Sequence, residues 1–166
     1  DGGIVTTQDL ELAEKCRVLR VHGSKPKYYH HIVGGNFRLD PIQAAVLLVK
    51  LPFLNDQHEQ RRSNAWYYDK HINDNYIRPF VQDDYYMIYN QYTLRSHQRE
   101  SVLDLLKARH IGSAIYYPVP LHLQECFSYL GYQEGDCPEA EKAAKEVFSI
   151  PIYSELLQEE LSYVVN

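Results

Sequence analysis

The sequence predicts an α/β fold. Short runs of β-branched and aromatic residues alternate along it with longer runs whose apolar residues recur at helical spacing. Of the 166 residues, 45% are hydrophobic and 23% are charged, a composition typical of a chain with a real core. The length suits one ordinary domain or a piece of a larger protein. We expect a strand, a helix and a long kinked helix up to residue 72, then a small α/β unit over residues 73–166.

The first two elements are predicted before residue 24. The segment "GGIVTT" places β-branched residues behind two glycines and predicts a short strand. The apolar residues that follow fall at helical spacing and predict a helix from Leu10 to Val21. Thr7 or Asp9 can cap the start of this helix, and Gly23 can end it.

A second helix is predicted to start at Pro41. Asp40 at the N-cap, Pro41 at the first helical position and Gln43 two residues later make a capping-box pattern. Helix 41–51 is apolar on every side, so we expect it to be buried all round, in a core or in a subunit interface. Pro52 then has to kink or interrupt the helix, because it lacks a backbone donor and clashes one turn back.

The remaining predicted elements are short, apart from an Arg-rich polar helix that continues to about Ile72. The segments "MIYNQYTLR" and "GSAIYYP" predict strands, and "IPIY" predicts an extended piece. Four further segments have helical patterns: "RESVLDLLKARHI", "HLQECFSYLG", "CPEAEKAAKEVFS" and "SELLQEELSYVV".

The charge distribution argues against nucleic-acid binding. The net charge is −5, with nine Lys and Arg against seven Asp and Glu in residues 1–62, and eight against fifteen in residues 63–166. Nucleic acid would require a basic stripe, and neither part supplies one. The mildly positive first part suits a smaller anion, such as a phosphate.

We expect neither a metal site nor a membrane segment. The three Cys form no C-x-x-C pair and the eight His form no H-E-x-x-H pattern, which favours reduced thiols in a cytoplasmic protein. The longest apolar run, residues 41–49, is well short of the ~18 residues that a membrane span needs. No secretory leader opens the chain, and the missing initial Met indicates that residue 1 is not the natural start.

The stretch "HHIVGGNFRLDPIQAA" places two glycines, an amide and a guanidinium at the start of a helix. A helix N-terminus favours anions, and glycines let a backbone approach a ligand closely. Asn36 can donate an amide N–H, and Arg38 is a planar fork suited to carboxylate or phosphate. These features predict an anion-binding turn. The alternative is a glycine bend in which Arg38 pairs with Asp40.

The stretch "IYYPVPLHLQ" is a second candidate. Its two prolines hold the backbone extended, so Tyr117 and His122 are presented from a stiff segment. A phenol and an imidazole in such a segment can contact a sugar or a nucleotide. The alternative is a structural crossover whose tyrosines cover the core. His30 lies in a further loop, "RVHGSKPKYYHH", which runs directly into the glycine turn.

Four segments occur in order along the chain: "DGGIVTTQDLELAEKCRVLRVHG", "KYYHHIVGGNFRLDPIQAAVLLVKL", "YPVPLHLQECFSYLGY" and "CPEAEKAAKEVFSIPIY". In this order and spacing they resemble the DegT/StrS family of pyridoxal-phosphate-dependent aminotransferases, which act on nucleotide-linked keto-sugars. The resemblance spans essentially the whole chain. It implies the C-terminal portion of a type I aminotransferase fold, with residues 1–72 ending the large cofactor-binding domain and residues 73–166 forming the small α/β domain.

The resemblance also implies that the chain starts just after the catalytic lysine. In the family, "GDGG" follows a segment of the type F-x-P-x-K-N-L-G, whose Lys forms the Schiff base with the cofactor. Here the chain begins at Asp1, and none of its eight lysines matches that position. We therefore expect the chain alone to be inactive and not to retain pyridoxal phosphate.

Site residues carry over from one family segment, G-x-N-x-R-L-D. In the family its Asn reaches the cofactor phosphate of the neighbouring subunit of a dimer, and its Arg lies near the substrate. The resemblance thus assigns cofactor binding to Asn36 and dimer packing to helix 41–51. The predicted substrate-binding residues are Arg38, His30, Tyr117 and His122.

Two positions depart from the family pattern. Gly35 stands where an aromatic residue is common, and Phe37 stands where a small polar residue is common. Both departures concern the shape of the substrate pocket.

The function implied is transfer of an amino group from an amino acid, with glutamate as the expected donor, to a nucleotide-linked keto-sugar. Such a reaction belongs to amino-sugar or surface-polysaccharide biosynthesis, and "YPVPLHLQ" most resembles members that act at the sugar 3-position. Two alternatives stay open. One is a dehydratase of the same family, which carries His in place of the Lys. The other is a non-catalytic module that binds a sugar nucleotide or a partner subunit.

Overall fold

The computed structural model describes residues 2–166, and the chain divides into two compact units, Asp1–Pro52 and Phe53–Asn166. The boundary predicted at residue 72 concerns the domains of a longer protein and stays a prediction. Within this chain, the residues between 53 and 72 pack with the second unit. No helix in residues 2–166 combines the length and the apolar character needed to cross a membrane.

The first unit begins with an extended segment and one helix. Helix α1 spans Leu10–Leu19, and the Asp9 carboxylate accepts hydrogen bonds from the backbone N–H groups of its first turn. Asp9 is therefore the cap that the sequence offered alongside Thr7. The predicted strand "GGIVTT" is wrong, since residues 2–7 form no strand and Ile4 is 88% exposed. A β-branched run needs a neighbouring strand to pair with, and residues 2–166 place none beside it.

The long apolar helix is interrupted as predicted. Helix α2 spans Pro41–Lys50, a 3₁₀ turn follows over Leu51–Phe53, and helix α3 runs over Leu54–His71. The predicted capping box is wrong, because the Asp40 side chain makes no capping hydrogen bond. The proline at the first position of α2 has no N–H, so this helix start already has one fewer donor to satisfy.

Helix α2 is not buried within this chain. None of its residues is buried, and Ile42 is 81% exposed. Burial in a core is not realised within residues 2–166, and burial in the core of a longer protein stays a prediction. Burial in a subunit interface stays a prediction.

The second unit is built around a two-stranded antiparallel sheet. Strand β1, Tyr92–Arg95, pairs with β2, Val147–Ile150, in a register that sets Tyr92 opposite Ile150. Three further helices belong to this unit: α4 at Arg99–Ala108, α5 at Pro138–Glu146 and α6 at Gln158–Val165.

Three predicted elements of this unit are shorter than expected or of another type. The strand in "MIYNQYTLR" is confined to β1. Ahead of it, the carbonyls of Tyr89 and Met87 accept hydrogen bonds from Arg61 and Arg62. The strand "GSAIYYP" is reduced to one bridge between Ala114 and Ser149, since the prolines that follow cannot donate to a ladder. The segment "HLQECFSYLG" forms two 3₁₀ turns, Leu121–Leu123 and Glu125–Leu130.

The helix predicted over "CPEAEKAAKEVFS" ends earlier than expected. It stops at Glu146, and the β-branched and aromatic residues that follow form β2. Every residue of β2 is buried.

Helix α3 fixes the chain that follows β2 through three consecutive carbonyls. Tyr68 donates its hydroxyl to the carbonyl of Pro151 at 2.8 Å, and Arg61 and Asn64 donate to the next two carbonyls, also at 2.8 Å. Tyr68 and Asn64 are almost fully buried, so these bonds are shielded from water. Around them lies the core, which includes Ala65, Tyr92, Leu94, Leu106, Phe148, Ile150 and Leu161.

Glu146 is a buried carboxylate at the end of α5. Arg95 donates to it at 2.7 Å, and the exposed His97 places Nδ1 2.9 Å from its other oxygen. The Arg95 hydrogen bond lowers the pKa of the Glu146 carboxyl, although burial acts in the opposite direction.

Candidate functional site

The glycine turn of the first unit is attached to the end of α1 by backbone hydrogen bonds. Gly35 donates to the carbonyl of Leu19 at 3.0 Å and accepts from the N–H of His22 at 2.9 Å. The N–H of Phe37 donates to the carbonyl of Arg20 at 3.0 Å, and Asn36 forms a β-bridge with Val21. The backbone that carries the predicted ligand-binding side chains is thereby held on both sides of Asn36.

Gly34 is required by this close approach. A Cβ atom at Gly34 would lie 2.4 Å from the N atom of Gly23 and 2.5 Å from the carbonyl oxygen of Leu19. Helix α1 ends at Leu19 with Arg20 as its C-cap, two residues before the predicted end at Val21. Gly23 follows with a φ of +69° and donates to the carbonyl of Val18 in the last turn of α1. The close approach of the turn to the end of α1 therefore explains why residue 34 is a glycine.

The Phe37 ring packs directly against the backbone of Gly35. A Cβ atom at Gly35 would lie 2.5 to 3.1 Å from three ring atoms of Phe37. The two departures from the family pattern are therefore coupled, because the Phe37 ring occupies the space that a side chain at Gly35 would need.

Asn36 and Arg38 present free polar groups. Both are exposed, and neither side chain has a hydrogen-bond or ion-pair partner among residues 2–166. The alternative pairing of Arg38 with Asp40 is absent in the part of the chain that the structure describes. An amide and a guanidinium separated by one residue can together bind an oxyanion.

His30 lies in the same unit and is linked to the turn through His22. Its Nδ1 atom is 2.8 Å from the carbonyl oxygen of His22, whose N–H donates to Gly35. Because a carbonyl only accepts, Nδ1 carries the proton and Nε2 is the atom left for a ligand. His30, Asn36 and Arg38 thus belong to one backbone-bonded cluster.

Tyr117 and His122 lie in the second unit. The segment that carries Tyr117 is anchored by the bridge between Ala114 and Ser149, with hydrogen bonds of 2.7 and 3.2 Å. Tyr117 is 69% exposed, and its ring meets that of Tyr116 edge to face at 5.6 Å. Its hydroxyl has no partner among the described residues, so it is available to a ligand.

His122 differs from the other candidates because it is enclosed. Its Nε2 atom lies 3.0 Å from the Glu141 carboxylate, and both side chains are only 9% exposed. Glu141 also accepts from the backbone N–H groups of Gly135, at 2.9 and 3.0 Å, and of Cys137, at 3.2 Å. The Tyr132 ring packs against the imidazole edge to face, with centroids 6.2 Å apart.

The Glu141 carboxyl is ionised in this setting. Burial opposes its ionisation, but the hydrogen bonds from Gly135, His122 and Cys137 outweigh that effect and hold its pKa below the ordinary value. Sequence reasoning missed Glu141. The available signal was its place three residues before Ala144, which puts a carboxylate on the buried face of α5.

Residues 2–166 contain no group of three or more His, Cys, Asp or Glu side chains placed to hold an ion. The candidate residues form two sets, one in each unit. The first set is His30, Asn36 and Arg38, and the second is Tyr117 and His122.

Sequence comparison identifies the family. The sequence profile of the DegT/DnrJ/EryC1/StrS aminotransferase family matches residues 1–166, and the chain belongs to this family.

Two relatives align with nearly the whole of this chain. The chain is 52% identical over 170 residues to the "Pleiotropic regulatory protein" of Geobacillus stearothermophilus, covering 100% of this chain and 46% of the relative. It is 40% identical over 166 residues to the dTDP-3-amino-3,6-dideoxy-alpha-D-galactopyranose transaminase of Aneurinibacillus thermoaerophilus, covering 99% and 45%. The chain spans about half the length of the curated relatives it matches.

Solved structures confirm the predicted fold class. The chain is similar to the crystal structure of S. venezuelae DesV in complex with a ketimine intermediate, with a TM-score of 0.86 and 35% identity. The alignment covers 96% of this chain and 43% of that one. The chain is therefore an α/β portion of an aminotransferase fold.

Proposed function

We propose that this chain is the C-terminal part of a pyridoxal-phosphate-dependent aminotransferase. The full-length enzyme transfers an amino group from an amino acid, with glutamate as the expected donor, to a nucleotide-linked keto-sugar. Family membership supports the reaction class, and the Aneurinibacillus transaminase named above supports a nucleotide sugar aminated at the 3-position. Amino-sugar or surface-polysaccharide biosynthesis in the cytoplasm is the setting that fits this substrate.

The observation that carries the proposal is the turn at Asn36 and Arg38. Its backbone is bonded to the end of α1, while both side chains are exposed and have no partner in residues 2–166. A rigid backbone with free polar ends is what a binding site requires, because little ordering is left to occur when the ligand binds.

The residues present fit the cofactor's phosphate. The Asn36 amide offers N–H donors that no group of this chain uses, and phosphate oxygens are acceptors. When bound, pyridoxal phosphate supplies an electron sink for the amino-group transfer. Arg38 can bind the carboxylate of the amino donor or the phosphates of the nucleotide, and His30, Tyr117 and His122 can contact the sugar nucleotide.

A homodimer is part of the proposal. Helix α2 exposes apolar residues all round, including Ile42, Leu48 and Val49 at 70% or more. Exposed apolar surface of this kind is typical of an interface. A second copy packed on α2 would bring Asn36, five residues before the helix starts at Pro41, towards the partner's cofactor.

The catalytic lysine is proposed to lie upstream of this chain. The 166-residue chain alone is then inactive and does not hold the cofactor covalently. Borohydride reduction after addition of pyridoxal phosphate should fix no stoichiometric adduct to any of its eight lysines. A site-specific adduct on one of them, detected by peptide mass spectrometry, would overturn this part of the proposal.

Substitutions in the full-length enzyme separate the roles of Asn36 and Arg38. Asn36→Ala removes a charge-assisted hydrogen bond of about 1.5–3 kcal/mol, so the Kd for pyridoxal phosphate should rise roughly ten- to a hundred-fold. Arg38→Ala should leave that Kd nearly unchanged and raise the KM of the amino donor or the nucleotide sugar. Arg38→Lys should restore little, because an ammonium cannot make the planar bidentate contact.

Asn90→Ala is the matched control, since Asn90 is an exposed amide of the second unit. It should change neither constant. Unchanged cofactor binding in Asn36→Ala would contradict the assignment of Asn36 to the phosphate.

A further inference from the structure

The buried pair of His122 and Glu141 has a chemical consequence for the imidazole. Glu141 is ionised and can only accept, so the imidazole nitrogen that faces it, Nε2, must carry a proton. In the neutral ring the other nitrogen, Nδ1, then has a free lone pair.

Nδ1 of His122 is not fully buried in the second unit. It has no hydrogen-bond partner among residues 2–166. No side-chain nitrogen or oxygen of a non-exposed described residue is both fully buried and without a partner. Nδ1 is therefore reachable from solvent, although the ring as a whole is enclosed.

We propose that Glu141 is a positioning residue, which holds His122 so that Nδ1 accepts a hydrogen bond from a hydroxyl group of the nucleotide sugar. The proposal rests on the function proposed above, which assigns His122 to the substrate. A hydroxyl can donate to the bare Nδ1 nitrogen, whereas an ionised phosphate at neutral pH offers only acceptors and cannot.

Glu141 is itself held in place, which is what a positioning residue needs. Three of its four hydrogen bonds come from backbone N–H groups of the loop that precedes α5. Gly135 in that loop has a φ of +98°, a conformation that favours glycine. The Tyr132 ring restrains the imidazole from the side. The carboxylate thus joins the loop to the 3₁₀ turn that carries His122.

The first test is the protonation pattern of His122 in the protein labelled with ¹⁵N-histidine. Long-range ¹H–¹⁵N spectra at neutral pH should show the proton on Nε2 and an unprotonated Nδ1. This measurement needs no substitution, so it tests the proposal even where a variant fails to fold. A proton on Nδ1 in the wild-type protein would overturn it.

Substitutions test whether Glu141 sets that pattern. Glu141→Gln keeps an acceptor oxygen and should preserve the Nε2–H form, whereas Glu141→Met removes the acceptor and should give a mixture of both forms. Glu146→Met is the matched control, because Glu146 is also a buried carboxylate of α5 but contacts Arg95 and His97. It should leave the His122 spectrum unchanged. A wild-type pattern in Glu141→Met would overturn the positioning role.

Kinetics of the full-length enzyme test the contact with the sugar. Glu141→Met should raise the KM of the nucleotide sugar about 2- to 12-fold, the effect of one neutral hydrogen bond, with Glu141→Gln close to wild type. Pyridoxal phosphate affinity should not change. An equal rise in KM for Glu146→Met would overturn the proposal in favour of a general loss of stability.

The two proposals fail differently. An enzyme that does not accept nucleotide sugars would refute the proposed function while leaving the His122 spectra as described. An enzyme that accepts them with an unchanged KM in Glu141→Met would refute the hydroxyl contact alone.

Discussion

The substitution Gly34→Ala should loosen the turn that presents Asn36 and Arg38. An added Cβ would lie 2.4 Å from the N atom of Gly23 and 2.5 Å from the carbonyl oxygen of Leu19. Both contacts are with backbone atoms at the end of α1, so no flexible side chain can move aside.

The structure sets the size of this effect. Ordinary van der Waals contact for such a Cβ begins at 3.4 Å, so the turn and the end of α1 must separate by about 1 Å. That shift lengthens the hydrogen bonds that join Gly35 to Leu19 and His22, which are now 3.0 and 2.9 Å. Overpacking of this kind costs about 1–3 kcal/mol of local stability.

Hydrogen–deuterium exchange measures that loss where it occurs. The amides of His22 and Gly35 donate these two bonds, and the amide of Phe37 donates a third bond between the turn and the end of α1, to the carbonyl of Arg20. Exchange of the three amides should accelerate roughly 5- to 150-fold in Gly34→Ala. Gly112→Ala is the matched control, because a Cβ there meets nothing within 4 Å. Unchanged exchange over residues 18–37 in Gly34→Ala, or an equal effect of Gly112→Ala, would refute the reasoning.

Two further predictions concern the rest of the chain. Replacing Leu48 and Val49 together by Ser should abolish self-association, as measured by sedimentation equilibrium. The control Phe80→Ser, at an 88% exposed site of the second unit, should not. A strictly monomeric wild-type protein would contradict this prediction. The Glu146 carboxyl, whose pKa is lowered by the Arg95 hydrogen bond, should contribute its stability fully above pH 4.5 and lose it as pH falls through the folded-state pKa. Acid unfolding followed by circular dichroism should therefore be flatter in Glu146→Gln, and coincident curves would disprove the role of the pair.

The parts of the fold that sequence predicted are those with local causes. The Asp9 cap starts α1, and Pro52 interrupts the long helix, because both effects act within one turn of the chain. The capping box at Asp40 is a local prediction that failed, whereas the wrong strand predictions depend on distant partners. "GGIVTT" has the residues of a strand but no neighbour within residues 2–166, and the strand after α5 forms because β1 is available to pair with it.

The candidate site shows the same division. The residue types of Asn36 and Arg38 were enough to single out their turn. The role of Gly34 could not be predicted from sequence, because it depends on how closely the turn approaches Leu19 and Gly23. The partner of His122 could not be predicted either. Glu141 follows it by 19 residues and contacts it only in the folded chain.

Hybrid dimers of the full-length enzyme test whether Asn36 serves the partner's cofactor. Subunits carrying Asn36→Ala are mixed with subunits in which the lysine proposed to lie upstream of this chain is replaced by Ala, and each parent dimer should be inactive or weakly active. If Asn36 acts across the interface, a two-fold hybrid has one site with both changes and one with neither, so it should recover about half of the wild-type activity per dimer. Hybrids that form freely, as followed by mass spectrometry of intact dimers, and yet stay inactive would show that Asn36 serves the site of its own subunit and contradict this account.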